Sequence, residues 1–362
     1  MAAPSRPEPH LSNPTNRRRF LSRLAGGITC LTFTGCGGKG GTSGDDEVVV
    51  YTALDREFSE PLLRIYEKQK KIQVLAAYDV ESTKSFGLER RIEAEARAPG
   101  CDLFWNNEIL NTLRLKRKGL LSPFHPPGSM AFPAEYRDPD ATWYGFAARA
   151  RVLLVNTNLV PETDRPTHLN DLLKPRWKDL LAIAKPLFGT TGTHAASLFA
   201  TLGETEAKEF YQGLHDNGVL VLSGNRQAAA AAGSGRVAVA LTDTDDALAE
   251  LDAGSPVAIV YPDRAAGELG TLFIPNTLAR IKNGPHPAQA EALAGFLLSP
   301  RVEAALAQGA SGQIPLNPGV DTKPRVETPR TVRAMAVNFD RAAELWEPVV
   351  APFLANLFGS GE

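Results

Sequence analysis

The chain has 362 residues, 43% of them hydrophobic, a formal net charge of −2 and three cysteines. Five arginines and one glutamate fall within residues 1–35, so the rest carries about −6, which argues against nucleic acid or a basic membrane-surface patch as a partner. The roughly 315 residues beyond that stretch exceed one comfortable core, and two lobes are expected.

The first segment reads as an address. Asn16-Arg17-Arg18-Arg19-Phe20-Leu21 is a twin-arginine pattern, followed by an apolar run from Leu24 to Gly35 that is shorter than the roughly 20 residues needed to span a bilayer. The run ends at Gly35-Cys36 before "GGKGGTSGDD", which resembles a bacterial lipoprotein cleavage site with a flexible tether. Residues 1–36 are therefore expected to be an export signal and residues 37–46 a tether. The chain would be periplasmic or otherwise extracytoplasmic, with lipid at Cys36 holding it to a membrane. Once Cys30 leaves with the signal, Cys101 has no intrachain partner and is expected to be a buried core thiol.

Beyond the tether the hydrophobic periods alternate. "EVVVYTA" (Glu47 to Ala53) predicts a buried strand, and Asp55 to Lys70 a helix with Phe58, Leu62, Ile65 and Tyr66 on one face. "KIQVLAAYD" predicts a second strand, Ser82 to Ala98 a charged helix with Phe86, Leu88, Ile92 and Ala96 inward, and "CDLFWNN" a third strand. This opening implies a largely parallel sheet whose strand ends gather Thr52–Asp55, Tyr78–Glu81 and Asn106–Glu108 around one crevice. "ARARVLLVNT" is another strand, and the stretch through "KPRWKDLLAIAKP" reads as helix, turn and strand. "LFGTTGTHAASLFATLG" is a Gly/Thr loop opening a helix. "VAVALTDTDDALAEL" is strand then helix, and "VAIVYPD" a further strand. "GTLFIPNTLARIKN" reads as a strand pair turning at Pro275-Asn276. A helix pair broken at Ser299-Pro300 follows, then the "IPLNPGV" loop and a helical last stretch.

The residues that carry chemistry sit at the joints. In "TDTDD", Thr244 is a candidate N-cap with Asp245 and Asp246 in the first turn. The same acids, with Asp243, could instead contact a ligand as hard oxygen donors for a cation, or accept bonds from an amine or sugar. "FGTTGTH" offers Gly189, Thr190, Thr191 and Gly192 at a helix start, a setting for phosphate, carbonate or carboxylate, but lacks the Lys of a P-loop. Arg149 and Arg151 share one strand face and could fork onto an anion or bridge to a carboxylate. Trp143-Tyr144 are expected in the core, Asn106 and Asn107 as turn formers or contacts, and His194 as a helix-face residue without metal. The chain holds no G-x-S-x-G or H-E-x-x-H, and its six histidines are scattered, so an enzyme is not expected. The acid cluster is the one foothold for a carboxylate-based hydrolase; a structural adaptor lipoprotein is a further alternative.

The order of "VVVYTA", "CDLFWNNE", "ARARVLLVNT", "KPRWKDLLAIAKP", "GTLFIPNTLARIKNGPHPAQAEALAGFLLSP" and "QIPLNP" resembles the periplasmic solute-binding proteins of ABC importers, in their ferric-ion-binding group. The resemblance implies an α/β fold of the two-lobed, type II periplasmic-binding architecture, each lobe a mixed, mainly parallel sheet flanked by helices, with the ligand between lobes. Residues 47–148 plus 266–308 would form lobe 1, and 149–265 plus 309–362 lobe 2. It implies an importer component, working as a monomer with a permease and an ATPase, that carries iron(III) with a synergistic anion or a related small solute. A phosphorylated, amine-bearing or sugar-like solute without metal is the other reading. Asp245 and Asp246 stand where the family has paired tyrosines on the metal. Asp55 and Glu57 match its first-lobe His/Glu pair, and Asn107 matches a further carboxylate position. The Phe188–Thr193 loop, Arg149 or Arg151, and Asn225 match its anion contacts.

Overall fold

The computed structural model describes residues 46–79 and 86–359. The export signal, Cys36 and most of the tether lie outside the described residues, as do Glu81 and the expected helix start at Ser82.

In chain order the first elements are β1 (Glu47–Thr52), α1 (Arg56–Lys70), β2 (Gln73–Tyr78), α2 (Phe86–Ala94), β3 (Leu103–Asn106), α3 (Leu110–Arg117) and β4 (Trp143–Asn156). Next come β5 (Leu181–Ala184), α4 (Gly189–Leu202), α5 (Glu204–Asp216), β6 (Leu220–Leu222), α6 (Asn225–Gly233), β7 (Val239–Asp243) and α7 (Thr244–Asp252). The chain continues with β8 (Val257–Val260), β9 (Phe273–Arg280), α8 (Pro287–Leu297), α9 (Pro300–Gln308), α10 (Phe339–Leu345) and α11 (Ala351–Phe358).

Two sheets share one long strand. In the first, β2, β1 and β3 run parallel, and β9 joins them antiparallel. The first half of β4 pairs with β9, while its second half pairs with β7 and β8 in the second sheet, where β7, β5 and β6 are parallel. All fourteen residues of β4 are buried. Alternate residues enter opposite cores: Leu153 and Val155 pack with Ile183 and Leu241, while Val152 and Leu154 pack with Ala182 and Ala240. Helices covering both faces explain why these strands read as unbroken apolar runs and not as alternating ones.

The passage between the sheets is a bulge. The register of β4 against β9 shifts between Phe146 and Arg149, and Ala147 takes φ +45, a left-handed conformation that costs an alanine about 1 kcal/mol or more. Glu303 offsets this: its buried carboxylate accepts the N–H groups of Ala147 at 2.7 Å, Leu316 at 2.9 Å and Asn317 at 2.8 Å. Ala148 also exchanges both backbone hydrogen bonds with Ile314. One carboxylate thus ties β4 to the 314–317 segment where both pass between the sheets.

Several expectations change. The strand pair with a turn at Pro275-Asn276 is a single strand, β9. Pro275 lacks an N–H, and the bulge in β4 lies opposite it, so no ladder bond is missing there. The second helix ends at Ala94 and Ala96 is exposed, because the following turns lead into Pro99-Gly100. In α1 the buried positions are Ser59, Leu62, Leu63 and Tyr66, with Phe58 and Ile65 only half-buried. Cys101 is a free, buried thiol, and Trp143 and Tyr144 are in the core as expected.

Candidate functional site

Four helices begin around one small cavity. α1 starts after Asp55, α4 after Phe188, α6 after Gly224 and α7 after Asp243, and none of these N-caps makes a side-chain capping bond. Asp55, Phe188, Gly224 and Asp243 all line the cavity, with Asn107, Arg149, Lys185, Gly189, Thr190, Thr191, Asn225, Asp245 and Asp246. Each helix start contributes about half a positive charge, which stabilises the gathered carboxylates. The cavity is about 50 Å³. It opens beside a hollow of about 270 Å³ lined by Asp55, Glu57, Arg226, Asp245, Asp246 and Asp252.

One wall is a hydrogen-bonded frame built from the second sheet. Arg151, fully buried, donates to Asp243 at 2.8 Å and to the Asn225 amide oxygen at 3.1 Å. Asp243 also accepts from the Thr190 hydroxyl and from Asn225 at 3.0 Å. Thr191 donates to Asn225 at 3.0 Å. Arg151 therefore resolves as a carboxylate bridge, and Asp243 supports Thr190 and Asn225 from behind. Gly189 has φ +54, a conformation that suits glycine where the chain turns into α4.

The acidic side of the cavity adjoins this frame and shares Asp243 with it. One carboxylate oxygen each from Asp243, Asp245 and Asp246 lie within 4.8 Å of one another, as a metal site requires. Asp55 faces them from the end of β1. Arg149 is buried, donates to the Asn107 carbonyl at 3.2 Å and lies 3.3 Å from Asp245. Burial works against its charge, yet Asp245, Asp243, Asp55 and Asp246 together hold its pKa above the ordinary arginine value.

The structure places three of the expected site residues away from the cavity wall or in another role. Thr244 is not the cap of α7; Asp243 occupies that position, and the Thr244 hydroxyl accepts the Ala150 N–H at 3.2 Å. Gly192 does not line the cavity: it is one turn into α4, where a Cβ would lie 3.1 Å from the Trp346 ring. Glu57 is exposed at the rim, bonded to Arg226 at 2.6 Å, and lines only the outer hollow. Tyr78 belongs to a separate hollow with Arg56 and Glu60, so among the described residues the three expected strand-end clusters contribute only Asp55 and Asn107 to the cavity. Lys185 and Arg226 were missed. Lys185 directly follows β5, and the rule that ligands meet the carboxyl ends of strands points to it. Glu108, expected at the crevice, does not line the cavity; it binds the Leu110 and Asn111 N–H groups at the start of α3 and accepts from Thr193 of α4 at 2.7 Å.

His194 is buried in α4, with both ring nitrogens lacking a protein hydrogen-bond partner. Burial first, and the Arg151 charge second, hold its pKa well below the usual histidine value. The unfolded chain then binds a proton below about pH 6.5 that the folded chain refuses, so stability falls with falling pH by up to about 1.4 kcal/mol per unit. His194→Phe should flatten this slope, measured by urea unfolding at about pH 7.5 and about pH 5.5. Identical slopes in the two proteins would refute it.

The family model for bacterial extracellular solute-binding proteins matches residues 98–344. The chain belongs to this family. The "Iron uptake protein A2" of Synechocystis is 30% identical over 251 residues, 66% of this chain and 71% of that one. Iron-bound HitA from Pseudomonas aeruginosa superposes with a TM-score of 0.76 at 22% identity, covering 86% of this solute-binding protein and 99% of HitA. AfuA from Actinobacillus pleuropneumoniae, with fructose-6-phosphate bound, also reaches 0.76, at 18% identity, covering 87% and 99%. Equal likeness to an iron-bound and a sugar-phosphate-bound protein means that the two-lobed fold does not choose the cargo of a solute-binding protein. The side chains in the cleft do.

Proposed function

We propose that this solute-binding protein captures iron(III) with a small anion between its lobes and delivers it to the permease and ATPase of an ABC importer. The observation that carries the reading is the gathering of carboxylates and anion donors around one very small cavity. Asp55, Asp245 and Asp246 supply hard anionic oxygens suited to a highly charged cation. The first turn of α4 and Lys185 bring N–H and ammonium donors for the anion to the same cavity. The inner cavity of about 50 Å³ suits an ion with one or two light ligands, and the adjoining hollow of about 270 Å³ gives room for a larger anion. Residues 47–148 with 266–308, and 149–265 with 309–362, are taken as the two closing lobes, crossed by β4 at its bulge.

Calorimetry with Fe(III)-citrate, beside a panel of phosphorylated and amine-bearing solutes, tests this. Saturable iron binding, together with iron found by elemental analysis of protein purified from its native envelope, is expected. Binding of a panel solute with no response to iron would replace the metal reading with an organic-solute reading.

In this reading the Arg17-Arg18 pattern is the export address, and lipid at Cys36 is the anchor that keeps the protein beside its permease. Cys36→Ser should release the protein from membranes into the soluble extracytoplasmic fraction, and Arg17→Lys with Arg18→Lys should leave precursor inside. A Cys36→Ser protein that still fractionates wholly with membranes would refute lipidation.

A further inference from the structure

Arg226 stands in the first turn of α6, on the second sheet's side of the cleft. Its guanidinium lies 2.6 Å from Glu57 and 3.9 Å from Asp55, both at the start of α1 on the first sheet's side. It is also 4.0 Å from Asp246 at the start of α7. Two further contacts across the two sides near the cavity, Arg149 to the Asn107 carbonyl and Thr193 to Glu108, are buried. The Arg226–Glu57 pair is different: both side chains are about half exposed, at 52% and 55%. It lines the outer hollow together with Asp245 and Asp246.

We infer that Arg226 is a positioning residue that latches the mouth of the cleft. It ties lobe 2 to lobe 1 through Glu57 and lowers the repulsion between Asp55 and Asp246 as the two helix starts approach. The inference rests on the two-lobe division proposed above, but not on the identity of the cargo. An exposed ion pair contributes modestly, so its loss should shift the closed-to-open balance about two- to five-fold. Because the pair is exposed, salt should weaken it.

Hydrogen exchange on the full chain, without added cargo, reads the latch directly. Arg226→Gln and Glu57→Gln should each speed exchange about two- to five-fold at the first turns of both α1 and α6 at low salt. The double variant should be no faster than either single one, because both remove the same contact. Arg226→Lys should restore part of the protection, and high salt should erase the difference between wild type and variants. Faster exchange confined to the helix that carries the substitution would overturn the latch, as would additive single effects or no change at all. Unchanged exchange in the core strands shows that the variants are folded. A second arm follows Fe(III)-citrate dissociation, which should quicken by the same factor. A protein that shows the exchange effect but binds no iron keeps the latch and loses the metal reading.

Discussion

Replacing Asp245 and Asp246 together with asparagine should lower Fe(III)-citrate affinity by at least about a hundredfold while the fold survives. Each carboxylate removed costs a charge-assisted contact of about 1.5–3 kcal/mol, so the two together reach a factor of about 100 or more. The stability cost has two parts. Both acids lie in the first turn of α7, where each contributes about 0.3–1 kcal/mol against the helix dipole. Asp245 also sits 3.3 Å from the buried Arg149, which keeps Asp243 and Asp55 as further compensating charges. The sum, about 2–3 kcal/mol, is tolerable for a domain whose stability is about 5–15 kcal/mol. Calorimetry and urea unfolding on the same preparations check both halves. Undiminished iron binding in a folded double variant would remove these residues from the site.

Arg151→Met should be the more damaging change to the fold, at about 3–5 kcal/mol, because it leaves the Asp243 carboxylate buried without its cation. Arg151 and Asp243 are 0% and 3% exposed at their side chains. Thr190 and Asn225 would still donate to Asp243, but neither carries charge. The frame that sets Thr190, Thr191 and Asn225 would loosen, so cargo affinity should fall although Arg151 does not line the cavity. Adding Asp243→Leu should recover part of the stability, because it removes the stranded charge, and none of the binding. A loss below about 1 kcal/mol in urea unfolding would mean the pair is better solvated than its burial implies.

The parallel sheets were legible in the chain because their signal is local. Runs such as "EVVVYTA" and "ARARVLLVNT" are apolar without alternation, which follows when helices cover both faces of a strand. The break at Ser299-Pro300 was legible for the same reason, since a proline at the first helical position both ends one helix and starts the next. Gly189 to Thr191 and the "TDTDD" acids were legible as residues of one cavity because such cavities form where strands end and helices begin. The bulge was not legible. Pro275-Asn276 carries the composition of a turn, and only a bulge in a strand more than a hundred residues earlier lets the proline sit inside β9.

Sequence by itself determined most of the elements, the order that places the chain among solute-binding proteins, and the acidic and donor segments that flank the cavity. Tertiary structure decided which member of each segment faces inward. Arg149 and Arg151 point to the same side of one strand, yet Arg151 is consumed by Asp243 while Arg149 lines the cavity. Asp243 became support, Gly192 became packing against Trp346, and Glu57 became a partner for Arg226. These assignments depend on where charges from distant segments come to lie. A buried ion is stable only beside its counter-charge, and neither composition nor periodicity records which residues meet across a cleft.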